Sequence, residues 1–477
     1  MDVFRWVRGQ GPVRSVPEPR LRDVIEASPP LPDAPCILIL PPLWDHHGHI
    51  AALGALLEQA DLRGCSTEAQ ALSVAATVAG KWPQGVWLEG FGWDQNLWGG
   101  LYPHRDSLDG LFPDRPVLLR RVDGHAGWAN SRALELAGFG DETPDPAGGS
   151  LLRDGGRLTG VLLDVAMETV AALIPPPSTQ VLRRRILAGM DHLHEAGLCG
   201  ATDMGLEPAH IQVLVDLDRE GVLPIAVEGF AWVKPGQASM PAPHMGNRFK
   251  LSGIKLFADG ALGSRGAALR EPYSDSSGGR GLLLWEDADM ARVLREASAR
   301  GLVPAIHAIG DRAARQVLDA LGAARVQGAR IEHAQILSDS DLMRMSDLRI
   351  VAGLQPCHYL SDQSWAPARL GDRMAQAYRW GSLARAGVPL LMGTDFPIEP
   401  PDPGRNFRAC TRREEVSERL TVDQVIEAYG PPAWARLGGR STLVACEGPL
   451  ALTSALEALT HEEMDARFVS VQAGAEL

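Results

Sequence analysis

The sequence predicts an α/β fold: a (β/α)8 barrel with a large insertion after strand 1 and a small, reduced β-domain built from both chain ends. Three observations carry that expectation. From residue 197 onward, short β-rich runs alternate with runs of helical period, the pattern of consecutive βα units on a parallel sheet. A further apolar run, Cys36-Ile37-Leu38-Ile39-Leu40, lies far upstream and raises the strand count to eight, the number that closes such a barrel. Finally, the residues able to bind metal fall at the ends of these runs, where barrel enzymes keep their active sites.

Taken in order, strands are expected at 36–40, 198–203, 222–229, 253–257, 302–307, 330–333, 350–354 and 388–394. Helices are expected at 181–196, 289–300, 311–321, 338–345 and 374–386. In the first helix Leu182, Ile186, Gly189 and Leu193 share one stripe, as a core-facing helix requires. The stretch 80–177 does not fit the repeat. It holds Trp82, Trp87, Trp93, Trp98 and Trp128 among many Gly and Pro, and reads as an insertion over the barrel mouth, because these barrels grow at the loops after their strands. Short β-like runs at 3–7, 442–446 and 468–471 suggest a small β-domain from 1–40 and 437–477, leaving 41–436 as the barrel domain.

Composition narrows the class. Of 477 residues 45% are hydrophobic and 22% charged, which supplies ample core material. The formal net charge of −13 argues against a nucleic-acid binder, which needs a basic footprint to neutralise phosphates. Six cysteines stand singly with no CxxC pair, fitting reduced thiols rather than a disulfide framework or a cysteine zinc cluster. Neither a signal-peptide run at Met1 nor an apolar run of spanning length is visible, so a cytoplasmic protein without a membrane partner is expected.

The chemistry-bearing residues are His47 and His49 after the first strand, Lys255 in the fourth, His307 and His333 ending the fifth and sixth, and Asp395 after the eighth. Alone, a strand-end histidine such as His333 is more often a hydrogen-bonded core residue than a ligand. A His-x-His pair says more, since the period of two aims both imidazoles to one face. Lys255 in the apolar run Ile254-Lys255-Leu256-Phe257 is hardest to dismiss, because an unpaired buried ammonium costs several kcal/mol (order of magnitude). Together they suit one or two borderline divalent ions such as Zn²⁺, with the lysine, as a carbamate, supplying a bridging anion.

Motifs in the same order carry a resemblance. Asp45-His46-His47-Gly48-His49, Ile254-Lys255, His307-Ala308-Ile309-Gly310-Asp311, Glu332-His333-Ala334-Gln335 and Gly393-Thr394-Asp395-Phe396-Pro397 resemble the metal motifs of the amidohydrolase superfamily. Gly92-Trp93-Asp94, Arg121-Val122-Asp123-Gly124-His125 and the segment from Phe257 to Gly266 are similar to its amidohydrolase-3 group, which includes N-substituted formamide deformylase and YtcJ-like proteins. The resemblance implies a binuclear centre, two Zn²⁺ bridged by carboxylated Lys255, with His47 and His49 on the more buried ion and His307 and His333 on the second. It further implies that Asp395 ligates the buried ion and shuttles a proton from a metal-bridging hydroxide to the leaving nitrogen.

Substrate contacts are expected from the insertion and the later loops. His125 would donate to the carbonyl oxygen, and Trp93, Asp94, Asp123, Arg265, Gln335 and His358 would line the pocket. Three of them have a plainer reading: Trp93 as core, His125 as a loop cap, Arg265 paired with Asp259. The expected function is metal-dependent hydrolysis of a C–N bond other than a peptide bond, in a small-molecule amide, N-acyl or N-formyl substrate. The alternatives are an ester, lactone or cyclic amide at the same centre, or a catalytically silent metal-binding scaffold. A homodimer is the assembly considered.

Overall fold

The computed structural model describes residues 2–14, 36–83, 85–122, 124–237, 239–276, 278–435, 440–446 and 467–472. The chain separates into two units, one of 1–50 with 190–477 and the other of 51–189.

The first unit contains the barrel. Its strands are β1 (Leu43–Gly48), β2 (Leu198–Leu206), β3 (Ala226–Trp232), β4 (Phe249–Phe257), β5 (Val303–Ala308), β6 (Arg330–His333), β7 (Val351–Leu354) and β8 (Leu390–Met392). All neighbours are parallel, and spatial order follows chain order. A parallel bridge from Gly48 to Phe396 brings the first and last strands together, and Asp395 donates its backbone N–H to the His47 carbonyl at 2.7 Å. That approach needs glycine: a Cβ on Gly393 would lie 2.5 Å from the His47 nitrogen. Helices between strands cover the sheet with their apolar stripes. In Asp311–Ala324 the buried face carries Ala314, Val317, Leu318 and Leu321, spaced at helical period.

Two expectations change here. The run Cys36–Leu40 is a strand, but not the first barrel strand. It pairs parallel with Asp2–Val7 and antiparallel with Arg440–Cys446 in a five-stranded sheet that also contains Gly11–Arg14 and Arg467–Gln472. Pro41 and Pro42, which have no backbone N–H to give a ladder, separate it from β1, and the buried run Leu43–Gly48 takes the barrel position. The single helix expected at 374–386 is instead a 3₁₀ turn, Gly371–Gln376, and a helix, Trp380–Arg385. Tyr378 between them has φ 55° and gives its N–H to the Gln335 carbonyl at 2.7 Å, which no continuous helix allows.

The second unit is wider than the tryptophan-rich stretch and has a sheet of its own. Its order is Ala60–Asp61, Leu88–Trp93, Val117–Arg121, Ala126–Ala129, Arg157–Asp164, Gly149–Asp154. Trp93 and Trp128 are wholly buried in its core beside Leu88, Leu108 and Val117. Their indole N–H groups are satisfied by the carbonyls of Leu119 (2.8 Å) and His104 (3.2 Å). Among the described residues no helix is long and apolar enough to cross a membrane.

Candidate metal centre

Strand geometry gathers the predicted ligands. Side chains two apart on a barrel strand share a face, and β1, β4, β5 and β6 each send one or more of these residues inward. His47 Nε2 lies 3.6 Å from Asp395 Oδ1 and 3.5 Å from Lys255 Nζ, and His49 Nε2 lies 3.3 Å from the same Asp395 oxygen. The rings of His47 and His333 are 5.0 Å apart between centroids, and those of His307 and His333 are 4.4 Å apart. Donor atoms of His47, His333 and Asp395 all fall within 4.8 Å of one another. Lys255 is fully buried. The backbone is strained at two of these positions, with φ 70° at His333 and 62° at Asp395, as at many functional sites.

The polar atoms fit a divalent ion. Buried His307 Nδ1, His333 Nδ1 and Asp395 Oδ1 have no hydrogen-bond partner among the described residues, which is costly unless something else occupies them. Neither nitrogen of His307 makes a hydrogen bond, although its Nε2 is 3.5 Å from Asp259. An ion bound about 2.0–2.1 Å from each donor spaces tetrahedral donors about 3.4 Å apart, close to the 3.3 Å and 3.6 Å from Asp395 Oδ1 to His49 Nε2 and His47 Nε2.

Electrostatics put the ligands in their binding forms. Burial lowers His47 to about 4 and His307 to about 3, helped by the Lys255 ammonium, and holds His333 well below its usual value, so the imidazoles are neutral at pH 7. Burial also brings Lys255 down to about 8, against the pull of Glu332 and Asp395. For Asp395 burial acts upward, but His47, His49 and His358 outweigh it and hold the carboxyl below its ordinary range.

A supporting layer was not singled out from the sequence. Glu332 Oε2 lies 2.6 Å from His47 Nδ1, while its Oε1 accepts from Arg330 Nε at 2.6 Å; all three side chains are buried. This leaves His47 Nε2 facing the cluster. The signal was present: Arg330 and Glu332 are two charges on one face of a buried four-residue strand. Asp45 accepts the N–H groups of His47 and Thr394 and the Thr394 hydroxyl, tying β1 to the chain after β8, and burial pushes it up to about 7.

The remaining predicted residues divide. Gln335 and His358 line a cavity of about 450 Å³ together with His47, His49, His307, His333 and Asp395. Arg265 forms a bidentate pair with Asp275 at 3.1–3.2 Å rather than with Asp259, whose carboxylate accepts the backbone N–H groups of Ala268, Ile309 and Gly310. Trp93 lies in the core of the second unit. Asp94 caps the 3₁₀ helix Gln95–Trp98 and pairs with Arg121 at 3.0 Å. His125 is largely exposed, its Nδ1 2.9 Å from Asp164. Asp123 lies outside the described residues.

An eight-stranded parallel barrel with histidines and an aspartate converging at its strand ends, able to hold a metal ion, is an arrangement suited to a metal-dependent hydrolase. The chain belongs to the amidohydrolase family, whose model (Amidohydro_3) matches residues 37–444. It is 32% identical over 405 residues to YtcJ of Bacillus subtilis (strain 168), covering 80% of this chain and 74% of that protein. It is 26% identical over 430 residues to N-substituted formamide deformylase of Arthrobacter pascens, covering 82% and 78%. Its fold is similar to that of an uncharacterized metal-dependent hydrolase from Pyrococcus furiosus, with a TM-score of 0.71, 24% identity and coverage of 99% and 98%.

Proposed function

We propose that the protein hydrolyses a C–N bond in a small linear amide, an N-acyl or N-formyl compound, with Asp395 as the proton shuttle. Similarity to a formamide deformylase supports the bond class. The observation that carries the reading is Asp395 itself, whose unpartnered Oδ1 stands 3.3 Å from His49 Nε2 on the wall of the cavity. His47, His49, His307, His333, Asp395 and Lys255 as a carbamate would hold two divalent ions, with Zn²⁺ suited to this nitrogen-rich set. When bound, such ions polarise the scissile carbonyl and make water acidic enough to attack near neutral pH.

The chain's own groups do the rest. Asp395, its carboxyl held below the ordinary carboxylate range, takes the proton from the attacking water. It then returns that proton to the leaving nitrogen, which as an amide anion could not depart. His47 is held in one tautomer by Glu332. The apolar walls Phe257, Leu262 and Trp365 seat the substrate's carbon skeleton and exclude water.

The test is turnover of an amide panel by metal-loaded enzyme, wild type and Asp395→Asn, at saturating metal. A loss of about 10²–10⁴ in kcat is expected for a removed acid–base group. Full activity in the variant would remove the shuttle, and turnover confined to esters or lactones would replace the amide reading.

A further inference from the structure

The cavity lining mixes apolar side chains with carboxylates outside the histidine cluster. Phe257, Leu262 and Trp365 give it an apolar wall, while Asp362 and Glu399 stand among its lining residues. It is a built site, since His307 and His333, each more than nine-tenths buried, present unpartnered ring nitrogens there. Glu399 is already answered: its Oε2 lies 3.3 Å from Arg405 Nη1, and its Oε1 accepts the Ser361 hydroxyl.

Asp362 is not answered in that way. Its Oδ2 accepts the Tyr378 hydroxyl and the Gln335 amide (3.3 Å), both neutral donors. Among the described residues no lysine or arginine pairs with it, and its second oxygen accepts no hydrogen bond from them. Burial disfavours the carboxylate, with Glu399 adding to the effect, against the donors and His358. A partly buried carboxylate whose only hydrogen-bond donors are neutral gains from a cation brought to it.

We propose that the substrate carries a protonated amine in addition to its scissile amide, and that Asp362 receives this ammonium group. The inference rests on the amide-hydrolase reading and narrows it to a substrate class, mono-acylated diamines and similar cationic amides. The helix Pro356–Asp362 sets the spacing. His358 and Asp362 are four residues apart on it, about 6 Å along the axis, and His358 Nε2 is 3.6 Å from Asp395 Oδ2. The ammonium group therefore sits roughly one helical turn from the proton shuttle, with the connecting methylenes against Trp365 and Leu262.

The experiment compares kcat/KM of metal-loaded full-length enzyme for mono-N-formyl and mono-N-acetyl diaminobutane with the same amides of pentylamine, the neutral isostere. We expect a preference of about tenfold or more for the cationic amides, since a close desolvated charge pair couples at that level or above. In Asp362→Asn this ratio falls toward one through a raised KM for the cationic substrate, with metal content unaltered. Turnover of both amide types without preference leaves amide hydrolysis standing and removes the ammonium subsite, as does a preference that survives in the variant. If no amide is turned over, the function reading fails and calorimetry decides the subsite alone. Tighter binding of diaminobutane to wild type than to Asp362→Asn supports it, and equal binding overturns it.

Discussion

Glu332 Oε2 and His47 Nδ1 meet at 2.6 Å, with the histidine side chain 2% and the glutamate side chain 0% exposed. Arg330 completes the chain of contacts: Nε to Glu332 Oε1 at 2.6 Å, and Nη2 to the His46 carbonyl at 2.7 Å. A carboxylate behind an imidazole fixes its tautomer and raises its basicity toward a metal. The fit leaves no slack, since a Cβ on Gly353 would lie 2.1 Å from Glu332 Oε2.

Replacing this carboxylate by an amide therefore acts twice. Glu332→Gln is expected to weaken metal binding about 10–100-fold, read by competition with a chelator. It also leaves the Arg330 charge buried without an anion, so urea unfolding of the metal-free variant should show a loss of about 3–5 kcal/mol. Unchanged metal affinity would mean that His47 is not a ligand.

Lys255 gives a pH prediction. Carbamate formation needs the neutral amine, and burial lowers this group from 10.5 to about 8. The neutral fraction is then about one tenth at pH 7 and one half at pH 8, whereas an ordinary lysine would be almost wholly protonated. Bicarbonate-dependent metal loading of the stripped enzyme should rise with pH, reach half its maximum near pH 8 and level off about one pH unit higher. Loading that ignores bicarbonate, with an unmodified lysine by intact mass, would defeat the bridge.

Removal of metal should leave the folded barrel but expose its internal cost. His307 Nδ1, His333 Nδ1 and Asp395 Oδ1 then lack partners in a buried site, so chelation is expected to lower the melting temperature by several degrees, as loss of a native-state ligand requires. Identical melting with and without metal would argue that the cluster binds none.

Trp93→Ala tests the core assignment in the second unit. The indole is wholly buried and donates to the Leu119 carbonyl at 2.8 Å. A loss of about 3–5 kcal/mol, typical for a buried tryptophan, is expected in the unfolding of that unit. A variant of full stability with raised KM would instead make Trp93 a pocket residue.

The βα alternation was legible because strand and helix impose different periods on apolar residues, and β6, expected at 330–333, is found as Arg330–His333. The motif residues were legible for a related reason: polar atoms in buried strands are expensive, so Lys255 and His47 stand out in apolar runs. Cys36–Leu40 was misplaced, since a β-rich run does not say which sheet it will join; pairing partners far along the chain decide that. The break at Tyr378 was invisible for the same reason, as its positive φ answers to Gln335 more than forty residues earlier.

By itself the sequence determined the alternating strand and helix runs of the barrel after residue 197 and the chemical inventory of the site, because these depend on local periodicity and residue type. Only the tertiary structure decided which strand opens the barrel, that Glu332 and Arg330 stand behind His47, that Arg265 turns to Asp275, and that Asp362 lines the cavity without a cation. Those outcomes depend on through-space distances of a few ångströms between residues tens to hundreds apart in the chain, which no local pattern encodes.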